Sequence, residues 1–165
     1  LEFRRVLFRS LLRGVAYGCT MVLNKAAVDL IKSHYPTVKQ MHDVYAQRVV
    51  GICGKLIYDN EPHIDYRQHQ SNVVGAQQTM LSRVKKGVST ILKRSQDHYR
   101  SDVAKDLYEG YKNLMLEENL QFVYDFSQVK HSFVSRLRLI FDKRLKAQTK
   151  VESIVIRMLI LLGWV

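Results

Sequence analysis

The most constraining feature of this sequence is the absence of proline from residue 63 to residue 165. Proline breaks helices because it lacks a backbone donor and its ring clashes with the preceding turn, so such a stretch permits long helices. Apolar residues recur there every three or four positions, and basic residues fill many of the positions between them. This spacing is typical of amphipathic helices that bury one face and expose a positively charged one.

Six helices are predicted, over residues 11–33, 38–58, 72–94, 102–118, 122–147 and 150–162. Pro36 disfavours helix at the residue before it, and Thr37 is placed as the N-cap of the second helix. Thr149 and Glu152 have the spacing of a capping box that opens the last helix. We therefore expect an all-α fold, a bundle of five or six mostly antiparallel amphipathic helices.

The apolar stripe of the fifth predicted helix is the longest in the chain. We expect Asn119 and Asp125 to mark breaks near its start. Its seven members are expected to lie together in the core: Phe122, Phe126, Val129, Phe133, Leu137, Ile140 and Phe141. The fourth predicted helix has a shorter stripe, which contains Val103, Leu107, Tyr111 and Leu114.

The two cysteines, Cys19 and Cys53, both lie between apolar neighbours, and the sequence contains no CxxC pair. We expect both to be buried free thiols, because free cysteine packs as a small hydrophobe. A disulfide would require an oxidising compartment and no secretory signal is visible, so we expect an intracellular, reducing location, with the cytoplasm as the default.

Residues 1–10 resemble translated cloning-site and sequencing-adapter DNA more than they resemble the rest of the chain. We expect a cloning or adapter scar there, with a disordered basic arm as the alternative. Without its three arginines and one glutamate, the net charge falls from +11 to +9. Residues 11–165 are expected to form a single helical domain, cut short at one or both ends.

The charge balance is unusual, with 26 lysines and arginines against 15 acidic residues. Such a basic chain favours polyanions: nucleic acid, anionic lipid or an acidic protein. The cations concentrate on the fifth predicted helix and the residues after it, and a smaller group lies on the third. The candidate polyanion-binding residues are Lys130, Arg136, Arg138, Lys143, Arg144, Lys146 and Lys150, with Arg83, Lys85 and Lys86 from the third helix.

The end of the chain, residues 154–165, is almost wholly apolar. Because a spanning helix needs about 20 apolar residues, these twelve are too few to cross a membrane. We expect a buried core helix, and the alternatives are a truncated membrane anchor and a helix that lies in the membrane interface.

Short catalytic and phosphate-binding signatures are absent from the sequence: GxxxxGK[ST], GxGxxG, HExxH, GxSxG and the EF-hand loop. The polar segment 59–70 holds weak candidate metal ligands in His63, Asp65 and His69, but their spacing matches no established metal-binding frame. A polar surface loop is the preferred interpretation of that segment. We expect no catalytic residue, no cofactor and no small-molecule substrate.

The function that these features favour is a non-enzymatic helical interaction module whose basic surface recruits an acidic protein partner. One alternative is a nucleic-acid-binding protein that contacts phosphates through the basic face of residues 122–147, without reading base sequence. A second alternative is a membrane-peripheral protein that inserts residues 154–165 beside anionic headgroups.

Overall fold

The computed structural model describes residues 17–59, 61, 63–65, 85, 88–89, 92, 98–145 and 149–165. In these ranges the chain forms one 3-10 turn at Gly18–Thr20 and six α-helices, and it contains no strand. The helices are α1 (Lys25–Lys32), α2 (His42–Cys53), α3 (Tyr99–Tyr111), α4 (Glu117–Ser127), α5 (Phe133–Phe141) and α6 (Lys150–Leu162). The predicted all-α bundle of five or six helices is confirmed.

The core is built around α3 and α4, which pack closely against each other. Helix α2 covers one side of this pair, and the hairpin of α5 and α6 joins the core through its own buried face. The fully buried side chains are mostly large and apolar, so burial of apolar surface is the main force that holds the helices together. They include Ile52, Val103, Leu107, Tyr111, Phe122, Phe126, Leu139, Ile156 and Ile160.

The predicted helix over residues 122–147 is wrong, because the chain breaks it between Ser127 and Phe133. Ser132 caps the new helix α5, where its hydroxyl accepts a hydrogen bond from the backbone amide of Ser135 at 3.2 Å. The break divides the predicted stripe into two parts. Its first three residues are buried, whereas Phe133 and Phe141 are largely exposed to solvent.

The predicted breaks at Asn119 and Asp125 are also wrong, since both residues lie inside α4 and are buried. Asn119 is tied to α2, because its side-chain amide donates to the carbonyl of Ile52 at 3.1 Å. The chain turns before α4 instead. Helix α3 begins three residues earlier than predicted and ends at Tyr111, which leaves Leu114 in an exposed turn.

The first predicted helix, over 11–33, is much shorter in the described part of the chain. Asn24 caps α1 by accepting a hydrogen bond from the amide of Ala27 at 2.9 Å, so the helix begins only at Lys25. Val22 is fully exposed as a result. Cys19 is exposed as well, which corrects the expectation that it is buried, while Cys53 is half-buried and both thiols are free.

The second predicted helix is shortened at both ends. Thr37 does not cap it, because its hydroxyl and its amide both donate to the carboxylate of Asp106 on α3. Helix α2 therefore begins at His42, and it ends at Cys53, before Gly54. The third predicted helix, over 72–94, lies almost wholly outside the described residues.

The last predicted helix is confirmed with its bounds. The hydroxyl of Thr149 accepts a hydrogen bond from the amide of Glu152 at 3.1 Å, which is the N-terminal half of the predicted capping box. Gly163 ends the helix in the left-handed region at φ 74°, where a side chain would be strained. Among the described residues, no helix combines the length and apolarity that crossing a membrane requires.

Candidate interaction surface

Helix α6 is apolar on two opposite faces. One face packs into the core through Ile156, Leu159 and Ile160. The other carries five large apolar side chains that are each about half exposed, at spacings of three, four, three and one: Val151, Ile154, Met158, Leu161 and Leu162. We call these five residues the α6 stripe. Such an arrangement leaves apolar surface in water along the whole length of the helix.

Helix α5 also has an exposed apolar face, in addition to the face that it buries. Phe133, Leu137 and Phe141 recur at four residues and therefore lie on one side of the helix, and Phe141 is 80% exposed. The two helices pack against each other as a hairpin. Trp164, just beyond the end of α6, is also largely exposed. Large exposed apolar patches on a protein surface mark sites of interaction with other proteins, membranes or ligands.

The predicted polyanion-binding cations fall into groups with different roles. Arg136 is bound to backbone on both sides of the hairpin: its Nε donates to the carbonyl of Val129 at 2.7 Å, and a terminal nitrogen donates to that of Lys130 at 3.0 Å. A second terminal nitrogen lies 3.4 Å from the carbonyl of Leu161. A side chain at Gly163 would overlap this guanidinium, so glycine is needed there for the approach.

Arg144 is likewise engaged within the protein. Its guanidinium donates to the carboxylate of Asp142 at 2.6 Å and to the carbonyl of Glu118 at 2.6 Å, and it lies over the ring of Phe122. Burial alone would raise the pKa of Asp142, but the hydrogen bonds and charge of Arg144 outweigh burial, and the pKa of this carboxyl lies below its usual value.

Lys130 and Arg138 each face a carboxylate. The ammonium of Lys130 lies 2.7 Å from Asp102, and the guanidinium of Arg138 lies 3.6 Å from the buried Asp125. Lys85, Lys143 and Lys150 are exposed, and within the described ranges they make no ion pair. The other three predicted cations, Arg83, Lys86 and Lys146, lie outside the described residues.

The segment with the weak metal candidates is polar and exposed where the structure describes it. The backbone amide of Glu61, which donates to Asp59, holds the pKa of this carboxyl below its usual value, and His63, 2.9 Å from Asp59, acts in the same direction. Asp65 is exposed, and His69 lies outside the described residues. No group of three or more metal-ligating side chains occurs in the part of the chain that the structure describes.

A buried polar cluster, which the sequence did not indicate, joins the segment before α2 to α3. The carboxylate oxygen Oδ1 of Asp106 accepts hydrogen bonds from the hydroxyl and amide of Thr37, and it lies 3.2 Å from Nε2 of His34. Beside it, the hydroxyls of Tyr45 and Tyr111 lie 2.8 Å apart. Burial and this contact raise the pKa of Tyr45, so both phenols stay neutral. These contacts link the segment before α2, and α2 itself, to α3.

No protein-family model matches this sequence, no curated protein matches it, and no solved structure matches its fold. What the surface of α5 and α6 can bind therefore follows from its own exposed apolar and charged side chains.

Substitutions of Arg136 test whether this cation stabilises the fold, in contrast to an exposed cation such as Lys143. We expect Arg136→Ala to lower the free energy of unfolding by about 2 kcal/mol, because carbonyls at the α4–α5 turn lose a charged donor. Arg136→Lys is expected to recover little of this, since one ammonium cannot reach carbonyls in several directions. Unfolding in urea measures both variants. Lys143→Ala is the control, with an expected change within about 0.5 kcal/mol. Equal stabilities of the Arg136 and Lys143 variants would contradict the structural role.

Proposed function

We propose that this protein is a non-enzymatic helical interaction module that binds a protein partner through the exposed apolar faces of α5 and α6. The observation that carries the proposal is the second apolar face of α6. A helix that needed only to complete the core would have polar residues on its outer side. The outer side of α6 instead carries the α6 stripe.

The chemistry of the described residues favours binding over catalysis. Burial raises the pKa of the Cys53 thiol to about 11, so this sulfur is a poor nucleophile at neutral pH. The buried tyrosines are neutral hydrogen-bonding groups, and the Asp106 cluster is bonded to backbone and side chains of the fold itself. Two free thiols are in keeping with a reducing compartment, which we infer for the protein.

Nucleic-acid binding is the less favoured function. Phosphate contacts need cations that are free to reach the backbone of the nucleic acid. Arg136 and Arg144 are committed to carbonyls and a carboxylate within the protein, and Lys130 is paired with Asp102. Among the described candidates, this leaves Lys85, Lys143 and Lys150 as exposed cations without an ion pair to a described residue, and Arg138, whose exposed guanidinium lies 3.6 Å from Asp125.

Site-specific photo-crosslinking tests the proposed function. The photoreactive residue benzoylphenylalanine replaces Met158 in the middle of the α6 stripe, and in a matched control it replaces the exposed Glu109 of α3. After irradiation in the cells from which the protein comes, we expect discrete crosslinked protein bands from position 158 and not from position 109. Bands of the same size and intensity from both positions, or none from position 158, would overturn the proposal.

A further inference from the structure

The partner's chemistry can be inferred from the charge that surrounds the exposed apolar faces. From residue 133 to residue 165 the sequence contains seven lysines and arginines but only two carboxylates, Asp142 and Glu152. Glu152 is buried, and Asp142 is bound by Arg144 at 2.6 Å. Within this segment, the exposed charged side chains that the structure describes are therefore positive, at Arg138, Lys143 and Lys150.

The cations are close in sequence to the apolar residues with which they would act. Lys150 precedes Ile154 by one helical turn and so lies on the same side of α6, at the start of the α6 stripe. Arg138 lies on α5 between Val134 and Phe141 at helical spacing, and more than half of its side chain is exposed. A ligand that covered the apolar faces would meet these cations at its edges.

The dimensions fit a helix. At 1.5 Å per residue, the thirteen residues of α6 extend for roughly 20 Å. The members of the α6 stripe repeat about once per turn, which is the spacing at which an amphipathic helix presents its anchors to a groove. Side chains at this spacing form a ridge of the kind that packs against the side chains of a second helix.

We propose that the exposed apolar faces of α5 and α6 bind an acidic amphipathic helix of a partner protein. The apolar side of that helix packs on the α6 stripe, and its flanking glutamates or aspartates meet Lys143, Lys150 and Arg138. This inference rests on the proposed function and narrows it to one class of partner. Charge of opposite sign at the rim gives selectivity and speeds association.

Two other occupants fit the observations less well. Anionic membranes recruit clusters of about four to eight lysines and arginines, whereas the described part of the α5–α6 hairpin has three exposed cations spread along it. A second copy of this chain would bring the same unbalanced positive charge to the interface, and like charges across an interface are unfavourable.

The test uses two fluorescein-labelled peptides of about 18 residues, or five helical turns. Both have leucines at helical spacing, and the remaining positions are mainly glutamate in one peptide and lysine in the other. Fluorescence anisotropy measures their binding to the full chain. We expect the acidic peptide to bind at least about tenfold more tightly than the basic one.

Two sets of variants locate the binding. Ile154→Ser with Met158→Ser removes part of the α6 stripe, and it should weaken the acidic peptide at least about tenfold. Leu114→Ser with Leu116→Ser is the matched control, because it removes two exposed leucines beside α4 and should change nothing. Lys143→Glu with Lys150→Glu should reverse the preference between the peptides, and the acid at the start of α6 is compatible with the helix dipole.

The proposal is overturned if the acidic peptide does not bind at about 1 mM, the weak end of specific binding, or if the serine pair leaves its binding unchanged. Binding of phosphatidylserine vesicles in place of the peptide, lost in the serine pair, would assign the surface to a membrane. A dimer in sedimentation velocity that the serine pair dissociates would assign it to a second copy. If position 158 is crosslinked to a protein but the acidic peptide does not bind, the acidic amphipathic helix is rejected as the partner, while the proposed function as a protein-binding module stands.

Discussion

Phe126→Ala is expected to lower the free energy of unfolding by about 4 kcal/mol, the largest effect that we expect from a single substitution in this chain. The ring of Phe126, on α4, is 1% exposed, lies 5.9 Å from the ring of Phe122 and belongs to the buried apolar core. Truncation removes the buried ring and leaves a cavity that rigid helices on both sides cannot close. Equilibrium unfolding in urea, followed by circular dichroism, measures the loss.

Phe133→Ala is the matched control. Both phenylalanines belong to the same sequence stripe, but Phe133 is 59% exposed at the start of α5. Its truncation should change the free energy of unfolding by less than about 1 kcal/mol, as exposed positions usually do. Similar losses in the two variants would mean that α4 and α5 form one continuous buried face, which would contradict the break at Ser132.

The difference between these two residues shows how far the periodicity of the sequence could predict the fold. A stripe at helical spacing identifies residues that prefer one face, and it correctly predicted that Phe122 and Phe126 are buried. It does not detect a break in the helix when apolar residues continue to recur every three or four positions across that break. The signal that was available was Ser132, since serine is a favoured N-cap residue and its hydroxyl reaches the amide three residues on.

Local signals predicted local structure well, and Thr149 is the clearest case. Its hydroxyl and the amide of Glu152 are three residues apart, so the hydrogen bond that begins α6 is visible in the sequence itself. The failure at Thr37 has the opposite cause. A threonine after proline is a reasonable cap, but here it is bound by Asp106, which lies 69 residues further along the chain. Propensity carries no information about such a distant partner.

The candidate surface was predicted only in part for the same reason. The apolar character of residues 154–165 is plain from the sequence, as is the excess of cations before them. Which face of α6 is covered, and which cations are already bound, depends on packing. In the sequence, all four cations of this region look alike. In the structure, Arg136 and Arg144 are hydrogen-bonded within the protein. Lys143 and Lys150, by contrast, are exposed to solvent.

Asp106→Ala is expected to lower the free energy of unfolding by about 3 kcal/mol, because a buried charged acceptor with several donors is lost. Its Oδ1 accepts from the hydroxyl of Thr37 at 2.6 Å and from the amide of Thr37 at 3.0 Å. The ring of His34 lies 3.2 Å from the same oxygen and packs closely on Gly110, where a side chain would overlap it. These contacts hold the segment before α2 against α3.

Asp106→Asn removes the negative charge of the side chain but keeps its shape and one hydrogen-bond acceptor. The amide oxygen of asparagine can accept at the position of Oδ1. The other carboxylate oxygen, Oδ2, is buried without a hydrogen-bond donor among the described residues, and the NH2 group would take its place. We therefore expect Asp106→Asn to cost less than half of the loss in Asp106→Ala. Thr37→Val, combined with each variant in a double-mutant cycle, should show a coupling of about 1 kcal/mol with Asp106.

The cycle also shows whether the segment is held by this carboxylate or only by apolar contacts. In the first case Asp106→Ala should release the segment, and proteolysis near the exposed Tyr35 should become faster, with α3 and α4 still folded. Equal destabilisation by alanine and asparagine, with no coupling to Thr37, would show that acceptance at Oδ1 does not stabilise the fold. The attachment of this segment would then depend on Tyr45 and Tyr111, whose hydroxyls reach the carbonyls of His34 and Leu30 at the same junction.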